Sequence, residues 1–379
     1  MARFFRRIAK RRPEPVEGSS QGKIQRSILL IRKRLFHSDA FAGFADVRGE
    51  EKNLGVHSAL YVYRENFMKC RKCGQKASVN MRQHKLALCK EHYLEWVPEQ
   101  TERFIKKYRM FTREQKILVA VSGGKDSLSL WDILARLGYQ ADGLYIGLGI
   151  DSGIGYSSES QRITEKFAEE HNLKLHVVDI EKEYGQSIPV LSEKTHRGQG
   201  KPCAVCGLTK RHEMNRIARD LGYDVLATGH NLDDEAAVLF GNTLTWSGEY
   251  LLRQGPVLAS AEGLARKAKP LCRFYEREMT AYALLRGIEY IYEECPFAEG
   301  STSIYYKEIL NQLETARPGA KLTFYLRFLE ARRSGELFIE QNMEGTHLHP
   351  CPQCGQLTSA PGLCSFCRMI EKVNVEVGA

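Results

Sequence analysis

Lys116-Ile117-Leu118-Val119-Ala120-Val121-Ser122-Gly123-Gly124-Lys125-Asp126-Ser127 decides the fold. A strand-length apolar run passes straight into Ser-Gly-Gly, and a helix is expected to follow near 125–138. Gly123 and Gly124 allow a tight turn with no Cβ in the way, so backbone N–H groups can converge on an anion. The helix N-terminus adds partial positive charge, Lys125 a full one, and Ser122 and Ser127 supply hydroxyl donors. The spacing is not the G-x-x-x-x-G-K-[ST] of a Walker loop. The plain alternative is a Gly-Gly turn capped by Ser and Asp.

Outward from this stretch, strand-like runs recur at 117–121, 142–148, 174–180 and 224–228. Helical patterns lie between and after them, near 125–138, 157–171, 206–222 and 231–245. Such alternation predicts an α/β fold, a Rossmann-like parallel sheet with helices on both faces. Further helical segments are expected near 276–287 and 303–332. Ala227-Thr228-Gly229-His230-Asn231-Leu232-Asp233-Asp234-Glu235 also follows a strand and opens a helix. Its polar groups should meet the first loop at the carboxyl edge of the sheet, where ligands of such folds bind. Asn231 or Asp233 could equally serve only as a helix cap.

The flanks read differently. Four segments are expected: a basic, disordered extension (1–67), a Cys/His module (68–97), the catalytic domain with a helical C-terminal part (98–335), and a second Cys module with tail (336–379). A helix over Glu99–Arg109 would link the first module to the sheet. The chain has a net charge of +9, and residues 1–37 hold eleven Lys/Arg against Glu14 and Glu17. That segment carries the whole excess, and the body is neutral. The tail suits a polyanion or a solvated terminus, and residues 24–36 could form a basic amphipathic helix. No apolar run approaches membrane-spanning length, and no secretory signal follows the basic start.

The chain has eleven cysteines, most of them in Cys-x-x-Cys or Cys-x-x-His pairs, the spacing of metal ligands rather than disulfides. Cys70-x2-Cys73-x15-Cys89-x2-His92 and Cys351-x2-Cys354-x9-Cys364-x2-Cys367 each offer a closed tetrahedral shell, as a structural zinc ion requires. A third set is different: Cys203 and Cys206 provide only two ligands locally, and distant Cys295 can add one more. Three thiolates suit a [4Fe–4S] cluster with one open iron. Cys203 and Cys206 alone would suit a redox or persulfide-carrying pair, and spacing does not choose between the two. Cys272 has no partner left and reads as a small buried hydrophobe.

With those residues in place, Ser-Gly-Gly-Lys-Asp-Ser resembles the PP-loop of the ATP-pyrophosphatases. From about Cys70 to Arg368 the chain resembles the TtuA-type tRNA 2-thiolation enzymes, relatives of the cytosolic wobble-uridine thiolases. The motifs include Cys203-Ala-Val-Cys-Gly-Leu-Thr-Lys-Arg211, Thr228–Asn242, Arg253–Leu258 and Glu293-Glu-Cys-Pro296. The resemblance implies ATP contacts at Ala120, Ser122, Gly123, Gly124, Lys125, Asp126, Ser127, Ile146, Lys210, Gly229 and Asp234. Lys125, Asp126 and Asp234 would serve the reacting phosphate, with Mg2+ beside Asp234. It implies a [4Fe–4S] cluster on Cys203, Cys206 and Cys295 whose open iron holds sulfide, and two zinc ions. The uridine C2 oxygen would be adenylated and replaced by sulfur, most readily at 5-methyluridine 54 of tRNA, with wobble uridine 34 as the alternative. A ubiquitin-like protein with a C-terminal thiocarboxylate would donate the sulfur to a cytoplasmic homodimer. A PP-loop amidating or lysidine-type ligase is the rival enzyme, but it leaves the third cysteine set without a purpose. A zinc protein that only binds RNA would leave the phosphate cradle without one.

Overall fold

The computed structural model describes residues 68–151, 155–195, 202–259, 265–298, 300–337 and 348–377. The expectations for 1–67, including a helix over 24–36, lie outside the described residues.

The N-terminal module is a short antiparallel hairpin, β1 (Val79–Met81) and β2 (Leu86–Leu88), followed at once by helix α1 (Lys90–Lys107). The helix begins nine residues before the expected Glu99, with Cys89 as its N-cap. Pro98 sits inside it, where a proline removes one N–H bond to the carbonyl four residues back. That carbonyl, on Leu94, accepts instead from Arg136 Nη1 at 3.1 Å. The helix survives its proline because a side chain from the next domain element replaces the missing donor.

The central sheet is built from β3 (Ile117–Val121), α2 (Lys125–Arg136), β4 (Ala141–Gly147), α3 (Tyr156–Glu170), β5 (Leu175–Asp179) and the short helices α4 (Ile180–Tyr184) and α5 (Ile188–Glu193). Then come α6 (Pro202–Asp220), β6 (Val225–Thr228), α7 (Leu232–Leu244), α8 (Gly248–Arg253), β7 (Val257–Leu258) and β8 (Arg266–Ala268). Strand order is β5-β4-β3-β6-β8-β7, parallel except for β7. The expected α/β class and its four strands are present. The last two strands were not foreseen: with two and three residues, and with Arg266 and Lys267 in one of them, they carry no apolar period.

Side chains alternate across β3 as the pleat demands. Ile117, Val119 and Val121 join the cluster containing Trp131 and Tyr282, whereas Leu118 packs with Leu144, Val178 and Leu226 on the other face. Helices α9 (Glu276–Arg286), α10 (Thr302–Ala316) and α11 (Ala320–Ser334) follow. The expected helical stretch 303–332 is broken at Arg317-Pro318-Gly319, where Gly319 takes φ 95°. The chain closes with a two-residue hairpin, β9 (His349–Pro350) with β10 (Leu357–Thr358), and α12 (Ser365–Val377). Phe366, Ile370 and Val373 of α12 belong to the same buried cluster as Val205 and Ala218 of α6. Among the described residues, no helix is long and apolar enough to cross a membrane.

Candidate nucleotide and metal sites

Strand order reverses around β3: the chain runs outward through β4 and β5, then returns to lay β6 on the other side. Ligands of open α/β sheets bind outside the strand ends at such a switch point. Both predicted loops emerge there and touch. Gly123 has φ 72°, and a Cβ on it would stand 2.7 Å from the Ser160 carbonyl oxygen. A Cβ on Gly229 would stand 2.9 Å from both the Asp126 carbonyl carbon and the Ser127 nitrogen. Asn231 Nδ2 donates to Asp126 Oδ1 at 3.3 Å, tying the second loop to the first.

The acidic run of the second motif divides its labour. Asn231 caps α7 by accepting from the Asp234 N–H, and Asp234 Oδ2 accepts the Asn231 N–H in return. Asp233 is buried, accepts the Glu276 N–H at 2.9 Å and pairs with Lys321, so it anchors α9. Asp234 keeps Oδ1 for Lys307 Nζ at 2.6 Å. Lys125 Nζ lies 3.0 Å from Asp126 and 2.8 Å from Glu276, and Glu276 also reaches Lys307 at 3.2 Å. Glu276 and Lys307 thus complete an alternating charge network that motif reading missed. They come from α9 and α10, far along the chain and without local signal. Burial pushes the Asp126 carboxyl up to about 6 despite Lys125 beside it. Burial also opposes ionisation of Glu276, but Lys307 and Lys125 outweigh it and hold that carboxyl at about 2.

Beside this network lies a cavity of about 470 Å³. Ala120, Ser122, Asp126, Ser127, Ile146, Lys210, Gly229 and Asp234 line it; Gly123, Gly124 and Lys125 do not. Arg211 and His230 also line it. The volume is within the range of small-molecule sites.

Helix α6 starts earlier than expected because Pro202, which needs no N–H partner, can open it. Cys203 and Cys206 therefore fall one turn apart, and Gly207 and Lys210 of the same helix reach the cavity. Cys203 Sγ donates to the Phe297 carbonyl at 3.3 Å, which brings the Cys295 segment alongside. Burial pushes the Cys295 thiol up against a backbone hydrogen bond from Phe297, and the nearby Cys206 adds to the push. Unlike the two terminal sets, Cys203, Cys206 and Cys295 do not form a group in which all three donors lie within 4.8 Å of one another.

The N-terminal donors Cys70, Cys73, Cys89 and His92 all lie within 4.8 Å of each other. Cys73 and Cys89 Sγ are 3.8 Å apart, the edge of a tetrahedron whose metal–sulfur bonds are about 2.3 Å. Burial raises the Cys70 thiol, but backbone hydrogen bonds from Cys89, Cys73 and Lys72 bring it down to about 6. In the C-terminal module Cys354 and Cys364 are likewise 3.8 Å apart, and Cys351 Sγ accepts the Cys364 N–H at 3.3 Å. The mutual cluster there is Cys354, Cys364, Cys367 and, unforeseen, His212 of α6. His212 Nδ1 is 2.7 Å from Glu213 Oε1, Nε2 has no partner, and the ring stacks on Phe366 at 3.9 Å. Cys351, expected as the fourth donor, stands outside that mutual group, and His212 takes the fourth place in it. Cys272 is fully buried, and burial pushes its thiol up to about 12.

Fold and site define a PP-loop nucleotide-binding protein. A PP-loop domain model matches residues 93–296, and the model described as 2-thiouridine synthetase TtuA, N-terminal LIM domain, matches 69–94. The tRNA-5-methyluridine(54) 2-sulfurtransferase of Thermus thermophilus is 51% identical over 81% of this chain and 92% of its own length. The enzyme of that name from Thermotoga maritima is 45% identical over 81% of this chain and 97% of its own. The U34-tRNA thiolase NcsA of Methanococcus maripaludis, solved with its [4Fe–4S] cluster, shares the fold at TM-score 0.66 and 23% identity, covering 81% of this chain and 96% of its own. The chain belongs to the TtuA family of tRNA 2-thiolation enzymes.

Proposed function

We propose that the protein activates the C2 oxygen of a tRNA uridine with ATP and replaces it with sulfur, acting on 5-methyluridine 54. The observation that carries this reading is the shared helix: α6 holds Cys203 and Cys206 one turn apart at its start and gives Gly207 and Lys210 to the nucleotide cavity. Nucleotide and thiolates therefore face the same reacting atom from one element. The choice of position 54 rests on the two bacterial relatives of that name.

In the activation step the uridine oxygen attacks the α-phosphorus of ATP, the phosphoanhydride bond breaks, and pyrophosphate leaves. Lys125 and the α2 N-terminus neutralise the departing charge, which is electrostatic stabilisation of the kind worth several kcal/mol in other enzymes. Asp126 and Asp234 would hold Mg2+; a carboxylate destabilised by burial gains most from a nearby divalent cation. Lys307 and Glu276 keep Asp234 in place. In the second step sulfide attacks C2, the C–O bond breaks, and AMP departs with the oxygen. A [4Fe–4S] cluster on Cys203, Cys206 and Cys295 would supply that sulfide bound and positioned. Zinc in the two terminal modules would be structural, since their donors close a shell with no open position. A ubiquitin-like thiocarboxylate donor, a homodimer and a cytoplasmic setting complete the reading.

The test is nucleoside mass spectrometry of tRNA treated with anaerobically reconstituted protein, ATP and sulfide. The expected product is 5-methyl-2-thiouridine, lost in Cys295→Ala along with the brown absorbance. Sulfur at position 34 instead would move the substrate to the wobble uridine. Retention of both product and absorbance in Cys295→Ala would refute the mechanism.

A further inference from the structure

A second cavity of about 280 Å³ opens between α1, the β1–β2 turn and the segment leading into α9. Its walls are aromatic: Trp96 and Phe104 of α1 meet Phe274 edge-on, at 5.8 and 5.5 Å between ring centroids. Its rim is cationic. Arg103 and Lys107 follow Trp96 and Gln100 along the same helix, and Arg273 stacks over Phe104 at 4.7 Å. None of these three cations has an acidic partner among the described residues. Elsewhere on the same helix Lys106 pairs with Glu102. Arg273 Nε is sealed from solvent with no hydrogen-bond partner.

We propose that this cavity binds one nucleotide of the RNA substrate, its base between Phe104 and Trp96 and its phosphate on Arg103, Lys107 and Arg273. Aromatic faces with arginine beside them accept any base by stacking, and unpaired cations take the phosphate. The body of the chain is neutral overall, so local concentrations of unpaired positive charge are where RNA gains most. The position is also apt. Phe274 is two residues from Glu276, whose carboxylate touches Lys125, and the Phe274 carbonyl accepts from Leu232 N at the start of α7. One continuous segment therefore runs from the wall of this cavity to the charge network beside the first. A strand delivering a uridine to the first would leave a nearby nucleotide within reach of the second.

This inference rests on the tRNA reading above, and the test separates the two. Arg103 and Lys107 are exposed and have no acidic partner among the described residues, so the doubly reversed variant Arg103→Glu/Lys107→Glu should fold. Binding of fluorescent, unmodified tRNA to full-length, metal-loaded protein is followed by anisotropy across a salt series, with a non-hydrolysable ATP analogue titrated separately by calorimetry. The variant should bind tRNA at least about tenfold more weakly, with a salt slope smaller by about 1, for the single phosphate that is no longer neutralised. Its affinity for the ATP analogue should be unchanged. Phe104→Ala should weaken tRNA binding while leaving the salt slope alone, because stacking releases no counterions. Equal tRNA affinity in wild type and both variants overturns the pocket and leaves the thiolation reading intact. A change in sedimentation mass in the charge-reversed protein would make this face an interface between chains and overturn it too. Wild-type protein that binds no tRNA overturns both.

Discussion

Gly229 adopts no left-handed backbone angle, yet no other residue fits there. A methyl group would press on the carbonyl carbon of Asp126 and the nitrogen of Ser127, both rigid backbone. Gly229→Ala should therefore part the two loops and cost at least about tenfold in ATP affinity, roughly 1.4 kcal/mol, measured by calorimetry. Unchanged affinity would mean the loops can move apart freely. Glu276 makes a different prediction. Its folded carboxyl, at about 2, lies below the ordinary value of 4.5, so the unfolded chain binds more protons between those values. The stability it lends is thus full above pH 4.5 and disappears as pH falls toward 2. In urea unfolding, wild type should exceed Glu276→Gln at neutral pH, and the gap should close through that acid window. A gap independent of pH would show that the lysines do not depend on its charge.

Among elements, α1 shows how much the sequence conceals. The helix expected over Glu99–Arg109 starts nine residues earlier, on the far side of Pro98. Nothing local announces that Arg136, in another helix, will replace the lost donor. The pair can be tested by a double-mutant cycle. Arg136→Ala should cost about 1 kcal/mol in wild type and distinctly less in Pro98→Ala, where the Leu94 carbonyl regains its own N–H. Equal costs in the two backgrounds would detach the arginine from the proline. The expected stretch 303–332 ran straight through Arg317-Pro318-Gly319, although proline followed by a left-handed glycine is a local stop signal and separates α10 from α11 there. The strands β7 and β8 were not legible, being too short to show a period.

Across the whole molecule, legibility follows sequence distance. Ser-Gly-Gly-Lys-Asp-Ser, His-Asn-Leu-Asp-Asp and the cysteine pairs each declare themselves within ten residues. The residues that went unseen were brought in by tertiary packing: Glu276 to Lys125, Lys307 to Asp234, His212 to the C-terminal thiols. Those partners answer to the topology of the sheet, which no local window contains. The two cysteine modules differ for the same reason. The N-terminal one is complete in a single stretch, whereas the C-terminal one leans on α6 for a donor, a stacking partner and the His212 carbonyl that Gln356 Nε2 reaches at 2.8 Å.

That leaning has a bearing on how the protein matures. One face of α6 is pinned by the terminal module, and the beginning of the same helix presents Cys203 and Cys206. Until the terminal thiols are cross-linked by a metal, the helix proposed to receive iron and sulfide lacks the hold of that module. Assembly should accordingly be ordered. Apoprotein filled first with zinc, then with iron and sulfide, should retain more iron per chain than apoprotein given them in reverse. His212→Ala should erase that advantage, and equal iron content in both orders would show the two ends of α6 to be assembled independently.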